Sequence, residues 1–507
     1  NTSLGSLSMG VGVVTGDNNV AIGYRAGEDL TTGTMNTMIG AYAAYTLTGG
    51  IRNTALGYGA LAKSVDGDKN TAIGYLALED YEGADGEGHN TAVGNESQLN
   101  ATTGEYNTSL GSLSMGVGVT TGDHNIAIGY NALTALTIGN NNVGIGSGAL
   151  DALVGGTSNV AIGKAALSTN IASGKNVAVG YDALVFADKS TDAENVAVGY
   201  GVGKTITTGY SNTLIGANSG DGITIGRHNV ALGANSLSAS GAGSKSVAIG
   251  KGTLVAQQPQ FTDATCDTTS GGTNVTCNAN TLILVGQIVS GTGFASTASI
   301  TAIAESGGAE TGVTSFTVGT AANASATNTT LTFKHGVDSF NTAVGFSAGN
   351  AVTTGINNTL IGSLAGDALT TGTNNVALGY GALGTEDTGG QNVAIGVNAL
   401  TTLNYAGNGL NTAVGYAAGA LMTSGVQNTI VGGQAGDALT TGSFNTALGY
   451  LALSTEDANS GNTALGHGAL MVLNVGADGY NVAVGFDAGK AMSTGVQNTA
   501  VGSFALD

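Results

Sequence analysis

The chain has 507 residues with 87 glycines, one proline, no tryptophan and only 9% charged residues, which is unlike the composition of ordinary globular domains. The glycines follow no Gly-X-Y period, which excludes collagen, and a hydrophobic content of 42% is too high for a disordered low-complexity chain. The net charge of −20 leaves no basic stripe for phosphate backbones, so nucleic acid is not an expected partner.

A motif of the general form Asn-[Thr/Val]-Ala-[Ile/Val/Leu]-Gly recurs along the chain from Asn1 to Asn498. It occurs 25 times, once with Ser246 in place of the asparagine, and most copies follow one another after 17 residues. A period this short is typical of solenoids, and it fits one coil of two short strands and two turns. The sequence therefore predicts an all-β fold, a parallel β-roll or β-solenoid of 25 coils of about 17 residues.

We number the columns of the repeat from its asparagine, which is column one. Column four is aliphatic in every copy, and column two holds threonine, valine or, once, isoleucine. Because side chains alternate along a strand, these two columns share a face, and their apolar character predicts that this face is the core. The constant glycine of column five predicts a corner of the coil. In three representative copies the predicted structural residues are Asn19, Ile22 and Gly23, Asn176, Val179 and Gly180, and Asn375, Leu378 and Gly379.

Packing alone does not explain the asparagine of column one. Stacked amides can form a ladder in which each donates to one neighbour and accepts from the other, and we predict this structural role; an exposed ligand-binding row is the alternative.

Column eight holds small residues, such as Ala60, Ala149 and Ala382. We expect them to leave a flat uncharged surface along which identical chains associate, most favourably as a homotrimer.

Residues 255–336 interrupt the repeats and differ from them in composition. The segment holds the only proline, Pro259, and alternating runs such as Ser299-Ile300-Thr301-Ala302-Ile303 between glycine-rich turns. Such runs predict a small β-sandwich or barrel. The expected organisation is therefore solenoid repeats at 1–254, an inserted β domain at 255–336, and solenoid repeats at 337–507.

Both cysteines of the chain, Cys266 and Cys277, lie in this insertion. There is no second cysteine pair to complete a zinc site, so we predict a disulfide between them. Disulfides persist in oxidising compartments, which favours an extracellular location.

Patterns that carry chemistry are weak. The segment Gly345-Phe346-Ser347-Ala348-Gly349 matches a hydrolase nucleophile elbow, but other copies place alanine or aspartate where Ser347 stands. The histidines show no paired ligand spacing. We expect no enzyme and no cofactor. For a group of acidic loop residues we predict a solvated acidic edge and no metal site, with calcium ligation as the alternative; they are Asp66, Asp68, Glu79, Asp80, Glu82, Asp85 and Glu87.

The motif as it stands at residues 19–23 and 176–180 resembles the head repeats of YadA-like trimeric autotransporter adhesins, and similar repeats occur in phage tail fibres. The resemblance covers the repeats on both sides of the insertion, although the coil here is longer than in YadA-like heads. It implies a left-handed parallel β-roll that associates side by side in threes. The insertion looks like a small β module of phage and bacterial surface fibres.

We therefore expect a structural and adhesive segment of an extracellular fibre, with a shaft of side-by-side chains and the insertion as a lateral knob that contacts a surface, a host-cell receptor or a glycan. A phage tail fibre for host recognition is the alternative. An ice-binding solenoid is a further alternative. Valine in ten copies of column two argues against it, because valine there suggests that the column is buried. No run of 18 apolar residues occurs, so we expect no membrane insertion in this segment.

Overall fold

The computed structural model of the chain describes residues 1–10, 13–238, 243–258, 260–280, 283, 287–294, 297–305, 313–334, 338–455, 458, 460–476 and 478–507. Within these ranges every helix or strand element is a β-strand, and the chain divides into two compact units, Asn1–Ala217 and Asn218–Asp507. Twenty-five strands of three residues belong to a parallel β-solenoid, as the repeat predicts, and six other strands form a separate antiparallel body.

The first unit contains thirteen solenoid strands. Each covers columns two to four and pairs in parallel with the strand of the next coil, so that Val20 lies beside Thr37 and Ile22 beside Ile39. Residues of the same column in successive coils therefore lie above one another, about 4.8 Å apart. The strands are β1 (Thr2–Leu4), β2 (Val20–Ile22), β3 (Thr37–Ile39), β4 (Thr54–Leu56), β5 (Thr71–Ile73), β6 (Thr91–Val93), β7 (Thr108–Leu110), β8 (Ile126–Ile128), β9 (Val143–Ile145), β10 (Val160–Ile162), β11 (Val177–Val179), β12 (Val196–Val198) and β13 (Thr213–Ile215).

The second unit contains twelve solenoid strands and the six strands of the insertion. Its strands are β14 (Val230–Leu232), β15 (Val247–Ile249), β16 (Gln260–Thr268), β17 (Asn274–Asn280), β18 (Ile288–Gly291), β19 (Ala298–Glu305), β20 (Val313–Val318), β21 (Ala326–Lys334), β22 (Thr342–Val344), β23 (Thr359–Ile361), β24 (Val376–Leu378), β25 (Val393–Ile395), β26 (Thr412–Val414), β27 (Thr429–Val431), β28 (Thr446–Leu448), β29 (Thr463–Leu465), β30 (Val482–Val484) and β31 (Thr499–Val501). Strands β15 and β22 pair directly, with Val247 beside Thr342 and Ile249 beside Val344. The solenoid ladder therefore continues from one side of the insertion to the other.

The insertion is a closed antiparallel barrel in the order β16, β17, β20, β19, β18, β21. Val289, Leu331 and Phe333 fill its core, and the Phe333 ring lies edge-on to that of Phe316 at 5.6 Å between centroids. The predicted disulfide is present and joins β16 to β17. The sequence predicted either a sandwich or a barrel. The pairing of β16 with β21 closes the sheet and shows that it is a barrel. Pro259 lies outside the described residues.

The interior of each coil is lined by columns three, eight, nine and twelve. In the coil that begins at Asn159, Ala161, Ala166 and Leu167 are fully buried, and Leu153 of the preceding coil fills column twelve. Two alanine columns facing each other leave the walls of the coil close together. The core is therefore thin and is built mainly from alanine and leucine.

The prediction that columns two and four face the core is wrong. The strand has only three residues, and its middle residue, in column three, points inward, so that its two neighbours point outward. Ile162 is 38% exposed and Leu378 is 42% exposed, while Ile22 and Val179 are half-buried. The interior holds alanine at this level because a branched side chain from every coil would exceed the available space.

Column eight is also placed differently from the prediction. Ala60, Ala149 and Ala382 are fully buried inside their own coils. Column eight therefore cannot provide the surface along which chains associate. Its small residues let the two walls of one coil approach each other.

A few coils hold a large residue in column three, and glycine in column nine makes room for it. A Cβ added to Gly366 would lie 2.7 Å from the Leu360 side chain of its own coil. A Cβ added to Gly349, in the preceding coil, would lie equally close to Leu360. Gly27 makes room in the same way for Met38 of the next coil, since a Cβ added to Gly27 would lie 2.7 Å from the Met38 side chain. Each large side chain in column three thus lies against a glycine in column nine, which keeps the filled volume of the interior nearly constant.

The predicted asparagine ladder is present and buried. Oδ1 of Asn375 accepts the backbone N–H of Asn392 at 3.0 Å, and Nδ2 of Asn375 donates to the carbonyl of Gly389 at 2.9 Å. The backbone N–H of Asn375 in turn donates to Oδ1 of Asn358 at 3.0 Å. Asn19 makes the same three bonds in its coil. Asn176 makes the two ladder bonds with Asn159 and Asn195, but its Nδ2 donates to the carbonyl of Gly174, two residues before it. Because these side chains are buried, the alternative of an exposed ligand-binding row is wrong.

The corner glycines are required for two physical reasons, a positive φ angle and the close approach of the next coil. At Gly23, Gly180 and Gly379 the φ angle is +135°, +142° and +136°. A Cβ on any of the three would lie between 2.1 and 2.6 Å from the carbonyl oxygen of the glycine in the next coil. Column five is therefore a stack of backbones in which only glycine fits.

Candidate interaction surface

The outward side chains of columns two and four form a flat face in each unit, which we call the strand face. It carries only threonine, valine, isoleucine and leucine, with no charged residue in any of the 25 copies. The side chains exposed by more than a third of their area include Leu56, Leu110, Ile126, Ile162, Val198 and Ile215 in the first unit and Val230, Leu232, Ile361, Leu378, Leu448 and Leu465 in the second.

The size of this face is unusual for a protein that remains a monomer. Thirteen strands at the usual interstrand spacing make the strand face of the first unit about 60 Å long. Soluble monomers rarely expose contiguous apolar patches larger than a few hundred Å². The strand face is therefore the strongest candidate for a protein interaction surface.

Column six, directly after the corner glycine, adds exposed aromatic side chains beside the strand face. Neighbouring rings stack where two coils in succession carry them, with 5.5 Å between the centroids of Tyr58 and Tyr75 and 5.4 Å between those of Tyr181 and Tyr200. The exposed aromatic residues of this column are Tyr24, Tyr58, Tyr75, Tyr130, Tyr181, Tyr200, Phe346, Tyr380, Tyr416, Tyr450 and Phe486.

Five tyrosines gather in the second to fifth coils, and we call them the tyrosine cluster: Tyr24, Tyr42, Tyr45, Tyr58 and Tyr75. Tyr42 is central, because its ring lies edge-on to Tyr24 at 5.4 Å, Tyr45 at 5.7 Å and Tyr58 at 5.7 Å. Desolvation among these rings raises the pKa of Tyr42 above its ordinary value. The repeat pattern of the sequence did not predict this cluster.

A pocket of about 350 Å³ is lined on one side by Tyr42, Tyr45 and Tyr58. Lys63 and Glu79 line its other wall, with 3.8 Å between Lys63 Nζ and Glu79 Oε1. Lys63 also donates a hydrogen bond to Asp80, and this bond raises the pKa of the Lys63 ammonium group. The pocket therefore joins aromatic faces to a paired cation and anion.

A second ion pair lies next to the same cluster. Nε of Arg25 is 3.2 Å from Oε2 of Glu28. The guanidinium carbon of Arg25 lies 5.4 Å from the ring centroid of Tyr24 and 5.9 Å from that of Tyr45. These distances fit cation–π contacts between Arg25 and the two tyrosines.

The acidic loop residues mostly bind the backbone and side chains of neighbouring loops. Asp66 accepts hydrogen bonds from the Thr48 hydroxyl at 2.8 Å and the Gly49 N–H at 3.1 Å. Asp68 accepts the N–H of Ile51 at 2.7 Å. These carboxylates stabilise the loops between coils.

Within the described ranges, only Asp263, Cys266 and Cys277 bring three potential metal-ligand atoms within 4.8 Å of one another. The two sulfur atoms are bonded to each other, so they cannot act as thiolate ligands. Asp263 Oδ1 instead accepts hydrogen bonds from the backbone N–H and hydroxyl of Thr265 at 2.9 and 2.6 Å. This group is a structural feature of the barrel.

The elbow-like segment lies in a turn of the solenoid. The backbone N–H of Ser347 donates to the carbonyl of Lys251 at 3.0 Å, as the same column does in other coils. That column holds Asp182 and Asp487 elsewhere, which fits an interchangeable position.

Histidines serve as stacking groups in two places: His89 lies 4.7 Å from the ring of Tyr106, and His467 lies 4.8 Å from that of Phe486.

One carboxyl group lies inside a coil. Glu386 is fully buried in column twelve, where the neighbouring coils hold Leu369 and Leu403. Its Oε1 accepts the N–H of Gly389 at 2.8 Å, while its Oε2 has no hydrogen-bond partner. Desolvation raises the pKa of Glu386 to about 7. The group is therefore protonated in the folded coil at mildly acidic pH.

We expect this carboxyl to make its coil less stable as the pH rises. Below pH 4 the group is neutral in the folded and unfolded states; between the unfolded pKa of 4.5 and about 7 only the unfolded state loses the proton. Relative to Glu386→Gln, the wild-type coil should lose about 3 kcal/mol of opening free energy between pH 4 and pH 8. Hydrogen exchange of the amides of β24 and β25 at the two pH values measures this difference. A pH-independent difference would contradict the prediction.

In the described part of the chain, no helix is both long and apolar enough to cross a membrane. A comparison with protein-family models finds no match, and a comparison with curated proteins finds no significant one.

Proposed function

We propose that the chain is a non-catalytic structural and adhesive segment of an extracellular fibre, in which identical chains associate side by side through their strand faces. The observation that carries the proposal is the uncharged, exposed strand face of each unit. A surface of this kind exposed to water would associate without control, whereas a closed symmetric assembly covers it.

Three chains around a common axis are the arrangement that the resemblance to YadA-like head repeats favours. In this arrangement columns two and four would pack against those of the neighbouring chains. The acidic loop residues would then lie on the outside, where like charges discourage lateral association of whole fibres. The strand face thus replaces column eight as the proposed association surface.

The disulfide of the inserted barrel supports an extracellular location, since such bonds persist in oxidising compartments. We propose that the barrel is a lateral knob that contacts a surface, a host-cell receptor or a glycan. Bacterial surface fibre and phage tail fibre are both consistent with this role. The gene sequence on either side of the segment distinguishes them, since an autotransporter anchor follows in one case and a tail-attachment domain in the other.

The assembly is tested by adding charge to the strand face. The variant Ile145→Arg with Ile162→Arg places two cations in column four of neighbouring coils. We expect the wild type to have three times the chain mass of 49.2 kDa in solution and the variant to dissociate to single chains with an unchanged β-sheet circular dichroism spectrum. Multi-angle light scattering gives the mass.

The control carries the same added charge on the loops. Asn141→Arg with Ser158→Arg uses exposed residues just before the motif asparagine, a position where Arg52 and Lys175 occur naturally with the same backbone conformation. This variant should keep the wild-type mass. A monodisperse wild-type monomer at micromolar concentration would show that the strand face is not an association surface.

An ice-binding solenoid remains a second candidate because one argument against it is wrong. Valine in column two does not indicate burial, since this column faces outward. Threonine occupies it in 14 of 25 copies, in a flat array that could order water. If the wild type is monomeric, inhibition of ice recrystallisation by that monomer would support this function.

A further inference from the structure

The tyrosine cluster departs from the repeat that surrounds it. Tyr45 is the only aromatic residue in column ten, and column seven, which holds Tyr42, is otherwise polar, small or aliphatic except at Phe504. In a repeat protein the other coils show what folding alone requires at each column. Coils without these rings form the same strands and turns, so the cluster is not needed for the fold.

The shape and chemistry of the pocket indicate what it binds. The rings of Tyr42, Tyr45 and Tyr58 present edges and faces around a space of about 350 Å³, which fits one or two sugar rings. The C–H groups on one face of a hexose pack against aromatic rings, because their partial positive charge meets the negative face of the π system. Tyrosine supplies this surface with little loss of side-chain entropy.

The charged groups beside the rings are paired, and this selects for a neutral ligand. Lys63 is paired with Glu79 and Asp80, and Arg25 with Glu28. Each pair offers donors and acceptors together, which matches the adjacent hydroxyl groups of a sugar. An anionic sugar gains no unpaired cation here and meets the field of a chain with net charge −20.

We propose that the tyrosine cluster is a binding site for a neutral saccharide, with one hexose ring packed in the pocket against Tyr42, Tyr45 and Tyr58. This inference deepens the adhesive role proposed above by adding a second contact site, on the solenoid rather than on the inserted barrel. It does not depend on the number of chains in the assembly, which the mass measurement tests separately.

Tyrosine fluorescence of the intact chain reports binding directly, because the chain contains no tryptophan. The probes are maltohexaose, cellohexaose and mannohexaose, with hexagalacturonate as the acidic comparison. At least one neutral probe should give a saturable change, and hexagalacturonate should bind at least about tenfold more weakly. Tyr58→Ala should weaken the binding of the neutral probe by at least about tenfold, since the residue forms one wall of the pocket.

Tyr380→Ala is the matched control, since Tyr380 is equally exposed in the same column of the second unit. It should leave the affinity unchanged. Alanine occurs naturally in this column at Ala217 and Ala234, so both variants should fold, and circular dichroism verifies this. The proposal is overturned if none of the neutral probes binds saturably or if Tyr380→Ala weakens binding as much as Tyr58→Ala does.

Discussion

Ala161→Asp should open the coil that contains β10, whereas the same replacement at the adjacent Ile162 should leave that coil folded. Ala161 is fully buried in column three, while Ile162 is 38% exposed on the strand face. A carboxylate at residue 161 would lie in the interior among alanine and leucine side chains, at a cost of at least about 3 kcal/mol. At residue 162 the carboxylate reaches water.

Hydrogen exchange measured by mass spectrometry distinguishes the two variants. Because solenoid coils are stabilised by their nearest neighbours, Ala161→Asp should remove the protection of amides in β9, β10 and β11 and leave distant coils protected. Ile162→Asp should keep this protection, while the charge on the strand face weakens the association of chains. Equal protection of the two variants would mean that the inward and outward assignments of columns three and four are incorrect.

The stacking of the coils could be predicted because it depends on the backbone. The 17-residue period fixes which residues lie above one another, and the roles of column one and column five follow from that stacking alone. Asn375 bonds to Asn358 and Asn392 whatever the side chains between them are. Gly379 is required because the backbone of the next coil passes too close for a Cβ.

The direction of the side chains could not be derived from hydrophobicity. Column four is the most consistently aliphatic column, which is typical of a core, but this interior is too thin for branched side chains in every coil. One signal in the sequence does carry the answer: where column three is large, as at Leu360 and Ile430, column nine is glycine, as at Gly366 and Gly436. Compensation of size between two columns indicates that both face the same interior.

The candidate functional features were also predictable only in part. The barrel and its disulfide were predictable from alternating runs and from the only two cysteines. The tyrosine cluster was missed because Tyr42 and Tyr45 lie in different columns from Tyr58, so the repeat alignment separates residues that the turns of the coil bring together. Counting deviations from each column, rather than averaging them into a consensus, would have indicated it.

Gly432→Ala should destabilise its coil far more than Gly433→Ala, although the two residues are adjacent. Gly432 is in column five with a φ of +140°, and a Cβ there would lie 2.4 Å from the carbonyl oxygen of Gly449. The coil must either separate from the next one or distort its corner, at a cost of about 3 kcal/mol or more. The nearest atom to a Cβ at Gly433 is a ring carbon of Tyr450 at 3.4 Å, which is an ordinary contact.

Column six, which contains Gly433, holds alanine in other coils, so Gly433→Ala should change the opening free energy by less than about 0.5 kcal/mol. Limited proteolysis compares the two variants under identical conditions. Gly432→Ala should create cleavage sites in the loops that flank β27 and β28, where the hydrogen-bonded stack is interrupted, while Gly433→Ala should match the wild type. Wild-type resistance in Gly432→Ala would mean that the glycine stack does not hold the coils at the spacing described here, because a Cβ could then be accommodated at every corner.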